Sequence, residues 1–272
     1  MYEHIIVPFD GTAAALAAGL AATDLSEVFG AELVLATAAD LDGDLVEQFK
    51  ASAMARSDAH VTVWVEPSHV EAEAIATVAA HRPNSLICMY SNARTGVRRA
   101  VYGSLAEYLV RATDAPVVLF GPNWQPSSLV NLRNLIICLD GTPTAEAAIP
   151  LAASWARVLP LTAVLVHVRT GQDEPAVDLA RLSYPLGFCC SEVQCLTVDD
   201  RRPVDAIVEL ARDSAASMLV MATHARTGFD RLVNGSLTAE VAQRAPLPVL
   251  VQQGPMPTER PPWLDLQASE GH

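Results

Sequence analysis

The chain has 272 residues, half of them apolar, and a net charge of −13 with Lys50 as its one lysine. That length suits one large domain or two of ordinary size, with ample material for a buried core. The negative balance argues against nucleic acid or an anionic membrane surface as a partner, and the lack of any Gly-Lys-Ser/Thr element excludes a Walker-type phosphate loop.

Taken in chain order, HIIVP predicts a strand near 4–8, and it ends in Asp10-Gly11-Thr12. Thr12 is placed to cap a helix over 13–29. Strands then follow near 32–38, 60–65, 85–90 and 116–120, separated by helices near 44–57, 68–81 and 103–113. Gly121 to Ser128 is a turn-rich linker. Beyond it the pattern restarts, with strands near 134–139, 161–168, 191–198, 217–221 and 248–252. The second set of helices falls near 144–158, 174–183, 203–214 and 236–245, and Pro203 suits a first helical turn. The tail after Gln253 is proline-rich and reads as irregular.

The restart is a true internal repeat. HIIVPFDGT at 4–12 returns as LIICLDGTP at 135–143, and YSNARTGVRRAVYGS at 90–104 returns as ATHARTGFDRLVNGS at 222–236. Both copies then run from Gly-Ser-Leu to a Pro-Val strand thirteen residues beyond the glycine. The expected organisation is a first domain over 1–121, a linker over 122–132, a second domain over 133–252 and a tail over 253–272. Strand-helix alternation with continuous apolar strands such as LVLATA implies an α/β fold with a doubly wound, five-stranded parallel sheet in each half.

The N-terminus lacks a basic segment followed by an apolar run, so no signal peptide is expected and the cytoplasm is the expected location. No apolar stretch reaches the roughly 20 residues of a bilayer span. Cys88 and Cys138 read as buried hydrophobes, and adjacent Cys189 and Cys190 as thiols rather than a redox pair.

Open parallel sheets take ligands beyond the carboxyl ends of their strands, where the strand order reverses. Asp10 and Asp140 leave the first strand of each half at that place, and Gly103-Ser104 and Gly235-Ser236 open a nearby helix. Backbone N–H groups at such a helix start hold phosphate without a lysine, and an Asp accepts from a ribose hydroxyl or an adenine amine. The same aspartates also suit a turn role, as Asp-Gly pairs commonly do. His224 reads as a surface residue, His167 as a satisfied core residue, and Glu71-Ala72-Glu73 as solvated charge.

With these motifs in place, the chain resembles the universal stress protein family in a tandem two-domain form, over nearly all of residues 1–252. The resemblance implies a Rossmann-like strand order 3-2-1-4-5 in each half and a pseudo-dimer, with final strands that pair between domains or subunits. It also implies an adenine nucleotide, ATP with or without Mg²⁺, and a part in the stress response. The family's motif is Gly, two residues, Gly, nine residues, Gly and then Ser or Thr. Its places hold Ala222, Ala225, Gly235 and Ser236 in the second half, and Tyr90, Ala93, Gly103 and Ser104 in the first. The spacing is kept twice and the first two glycines are replaced twice. On this reading the second half holds the nucleotide with Asp140, Val168, Met221, Ala222, Ala225, Arg226, Gly235, Ser236 and Leu237. Asp10, Ala38, Gly103 and Ser104 form the counterpart. No catalytic residue and no metal ligand is expected, and a non-enzymatic regulator is favoured, as a possible homodimer with an unidentified protein partner. A scaffold with empty pockets and a slow ATPase or autokinase are the alternatives.

Overall fold

The computed structural model describes residues 1–38, 43–58, 60–68, 70–91, 104–126, 128–171, 177–214, 217–223 and 237–254. The first half contains β1 (His4–Pro8), α1 (Ala13–Phe29), β2 (Glu32–Thr37), α2 (Gly43–Met54), β3 (Val61–Val65), α3 (Glu71–Ala80), β4 (Ser85–Tyr90), α4 (Ser104–Ala112) and β5 (Val117–Phe120). The second contains β6 (Asn134–Leu139), α5 (Pro143–Glu146), α6 (Ala148–Ala156), β7 (Thr162–Arg169), α7 (Leu179–Ser183), a 3-10 turn (Tyr184–Phe188), β8 (Glu192–Asp199), α8 (Pro203–Arg212), β9 (Ser217–Thr223), α9 (Leu237–Arg244) and β10 (Val249–Gln253).

Each half has the expected strand order, and the two orders meet in one ten-stranded sheet, β3-β2-β1-β4-β5-β10-β9-β6-β7-β8. Pairing is parallel within each half and antiparallel across the seam, where Leu119, Val118 and Val117 face Val249, Leu250 and Val251. The final strands therefore satisfy one another within a single chain. Central strands are buried on both faces, which is why they read as unbroken apolar runs. The helices cover those faces with two cores, and each core draws residues from both halves.

Two further contacts fasten the halves. Tyr2, Phe29 and Trp155 form an edge-to-face cluster, and the Trp155 indole N–H donates to the Tyr2 hydroxyl at 3.1 Å. The linker is packed rather than loose: Trp124, Leu129 and Leu132 are buried. Its Leu129 N–H donates at 2.7 Å to the buried carboxylate of Asp24 on α1, which also receives Arg56 at 3.0 Å.

The helix expected over 144–158 is broken at Ala147, between α5 and α6. Pro150 is the cause, because it has no N–H to offer the carbonyl of Glu146 and its ring crowds that turn. The helix expected near 174–183 is confined to α7 and passes into the 3-10 turn; residues 172–176 lie outside the described residues. All five cysteines are free thiols, with Cys88 and Cys138 buried as expected. Burial, and then neighbouring Cys189, pushes the Cys190 thiol up to about 12, so it is protonated at neutral pH.

Candidate functional site

The reversal of strand order opens a crevice in each half, and the strand registers show it. In the first half β1 stays paired with β2 through Pro8 and Ala36, and β4 with β5 through Tyr90 and Phe120. Pairing of β1 with β4 ends at Ile6 and Ile87. The second half repeats this: β6 holds β7 through Leu139 and His167, β10 holds β9 through Gln253 and Thr223, while β6 and β9 part after Ile137 and Val220. The strands separate because the chain leaves them toward opposite faces of the sheet. Helix α1 packs into one core and α4 into the other.

At each opening an Asp-Gly-Thr turn is built in the same way. The Asp10 Oδ1 accepts from the Thr12 N–H at 3.0 Å and from its hydroxyl at 2.7 Å. For Asp140 and Thr142 the distances are 2.9 and 2.6 Å. Each threonine hydroxyl oxygen then caps a helix by accepting from Ala15 or Ala145, at 3.2 Å in both copies. The central glycines hold φ of +77° and +80°, where a Cβ would be strained. Both aspartates are exposed, and among the described residues Oδ2 of each makes no bond. The turn role is thus fulfilled by one oxygen and the other is left to accept.

Around Asp140, Val168 is half-buried at the end of β7, Met221 is buried and Ala222 half-buried at the end of β9, and Leu237 is exposed where α9 begins. Ala225, Arg226, Gly235 and Ser236, and also His224, lie outside the described residues. In the first half Asp10 and Ala38 flank the opening, Ser104 starts the α4 backbone with its side chain undescribed, and Gly103 lies outside the described residues, as do Ala93 and Arg94.

The two crevices differ in ways the sequence alone did not reveal. Glu71, at the start of α3, is exposed, and its carboxyl is pushed above the usual range by partial desolvation and then by the Asp10 charge. It is solvated charge, as expected, and it also adds a second carboxyl near Asp10. The same helix position in the second half is Pro203. Tyr90, standing where the second half has Ala222, is half-buried against the core. His167 departs from expectation. It is buried and its Nδ1–H donates to the Leu139 carbonyl at 3.0 Å, but among the described residues Nε2 has no partner. Among the described residues, only one of its two nitrogens is satisfied.

Comparison with known proteins agrees with this architecture. The model of the universal stress protein family matches residues 1–121 and 191–252, more than half of the chain. The chain belongs to the universal stress protein family. The crystal structure of a universal stress protein from Archaeoglobus fulgidus superposes with a TM-score of 0.72 and 17% identity, covering 93% of this chain and 99% of that one. A universal stress protein of Mycobacterium tuberculosis is 24% identical over 78% of this chain and 72% of its own length. One from Synechocystis is 25% identical over 54% of this chain, and the match spans half of that relative. Among the described residues, no helix of this universal stress protein is long and apolar enough to cross a membrane, and no group of three His, Cys, Asp or Glu side chains converges as a metal site.

Proposed function

We propose that this universal stress protein is a regulatory, non-enzymatic adenine-nucleotide binder of the cytoplasm, with ATP held in the crevice between β6 and β9. Two domains over 1–121 and 133–252, joined by 122–132, carry one crevice each. The observation that carries this reading is the twofold parting of the central strands beside an exposed Asp-Gly-Thr turn. An unused Asp140 oxygen there suits a ribose hydroxyl or an adenine amine. Preference for the second half is supported by charge and shape. A triphosphate in the first crevice would meet Glu71 as well as Asp10, and the large side chain of Tyr90 holds the position that Ala222 has in the second half. The first domain then acts as a structural partner whose surface reports the state of the second. Titration calorimetry of the full chain with ATP tests the proposal. Saturable heat with one nucleotide per chain is expected, and folded protein that gives none at millimolar ATP overturns it.

A further inference from the structure

At the opposite end of the sheet a cleft of about 600 Å³ opens where β1, β4 and β5 begin. It straddles the halves, with Arg82 and Asp114 on one side and Arg157 on the other. Its floor includes Tyr2 and Phe29, and small side chains of α3 such as Ala79 leave the space open. The volume lies within the range of small-molecule sites.

Two arginines without a carboxylate partner line this cleft; Arg133, Arg201 and Arg212 also lack one among the described residues, but lie elsewhere. Arg56, Arg111, Arg169, Arg181, Arg202 and Arg244 each meet a carboxylate. Among the described residues neither Arg82 nor Arg157 does so. The Arg82 guanidinium stacks 4.2 Å above the Trp64 ring, which holds it in place, and among the described residues its buried Nε has no hydrogen-bond partner. Arg157 is exposed at the end of α6. Asp114 is the one carboxylate of the lining, so the cleft keeps a positive balance in a chain of net charge −13.

We propose that this cleft is a second ligand site, separate from the nucleotide crevices, for a small organic anion with an apolar body. Two guanidinium groups supply planar pairs of N–H donors that match a carboxylate, sulfonate or phosphate ester. The aromatic and alanine floor takes the hydrocarbon part. Because the walls come from both halves, an occupant bridges them. The strands separate the cleft from the crevices by roughly 17 Å, so the two sites fill independently at the level of direct contact.

The test uses 8-anilinonaphthalene-1-sulfonate as an anionic probe and N-phenyl-1-naphthylamine as its neutral counterpart, each titrated by fluorescence into the full chain. Expected are one saturable site for the sulfonate and binding about tenfold weaker for the neutral compound. Arg157→Gln and Arg82→Gln should each weaken sulfonate binding about tenfold. Amide NMR shifts should map to Thr113 and Ala115, and saturating ATP should leave the affinity unchanged. Arg157 is exposed, so its variant keeps the test decisive even where loss of the Arg82 stack unfolds the protein. Absence of a saturable site, equal affinity for the two probes, or full affinity in folded Arg157→Gln would each overturn the proposal.

Discussion

Removing the Asp24 carboxylate should loosen the attachment of the linker to the first half. Asp24 is 5% exposed and accepts four hydrogen bonds, three from the Arg56 guanidinium at 3.0–3.3 Å and one from the Leu129 N–H at 2.7 Å. In Asp24→Ala the Leu129 N–H is stranded in buried surroundings, which costs about 1–3 kcal/mol. Arg56 is 38% exposed and turns to water, so its lost pairing adds only about 1 kcal/mol. The expected loss is therefore ~2–4 kcal/mol. Asp24→Asn keeps an acceptor for Leu129 and should lose ~1–2 kcal/mol. Urea denaturation read by circular dichroism measures both variants, with hydrogen exchange at the Leu129 amide as a local readout. An Asp24→Ala protein within ~0.5 kcal/mol of the parent, or an Asn variant as weak as the Ala variant, would refute the reasoning.

Three other outcomes follow from the same structure. Gly121→Ala would set a Cβ 2.0 Å from the Ala242 carbonyl oxygen, which is backbone and cannot rotate away; a loss of about 3 kcal/mol is expected in chemical denaturation. Glu71→Gln should stabilise the protein slightly at neutral pH, since partial desolvation and Asp10 disfavour the charged carboxylate. The native Glu71 contributes fully below its unfolded pKa and loses that contribution as pH rises through its raised folded pKa. The difference between variant and parent, followed by thermal melts, should therefore appear as pH increases and vanish in acid. Finally, Asp140→Ala should weaken ATP binding in calorimetry more than Asp10→Ala, and equal effects would contradict the preference for the second crevice.

Much of this molecule can be read from its sequence because central parallel strands are buried on both faces. Runs such as HIIVP and LIICL announce themselves, and the recurring Asp-Gly-Thr marks where those strands end. Helix limits were less legible. Pro150 stops the ladder at Ala147 through a clash that depends on the residue four positions earlier, and apolar periodicity runs across it undisturbed. The peg at Asp24 leaves no local trace either, because its partner Leu129 is 105 residues away. At the candidate site, the turns could be foreseen from residue types alone. The approach of Glu71 to Asp10 could not, since it depends on how α3 docks beside the exit of β1. His167 shows the same limit: its strand position suggests burial, but only the register with Leu139 reveals which nitrogen is occupied.

The antiparallel seam between β5 and β10 has a genetic consequence. In an assembly of two identical copies, every substitution is written into both binding sites at once. Here the two sides of the seam are encoded separately, so Tyr90 can stand at the end of β4 while Ala222 stands in β9. A change that closes one crevice leaves the pairing of Val118 with Leu250 untouched, and the other crevice remains free to diverge on a scaffold that its counterpart still completes.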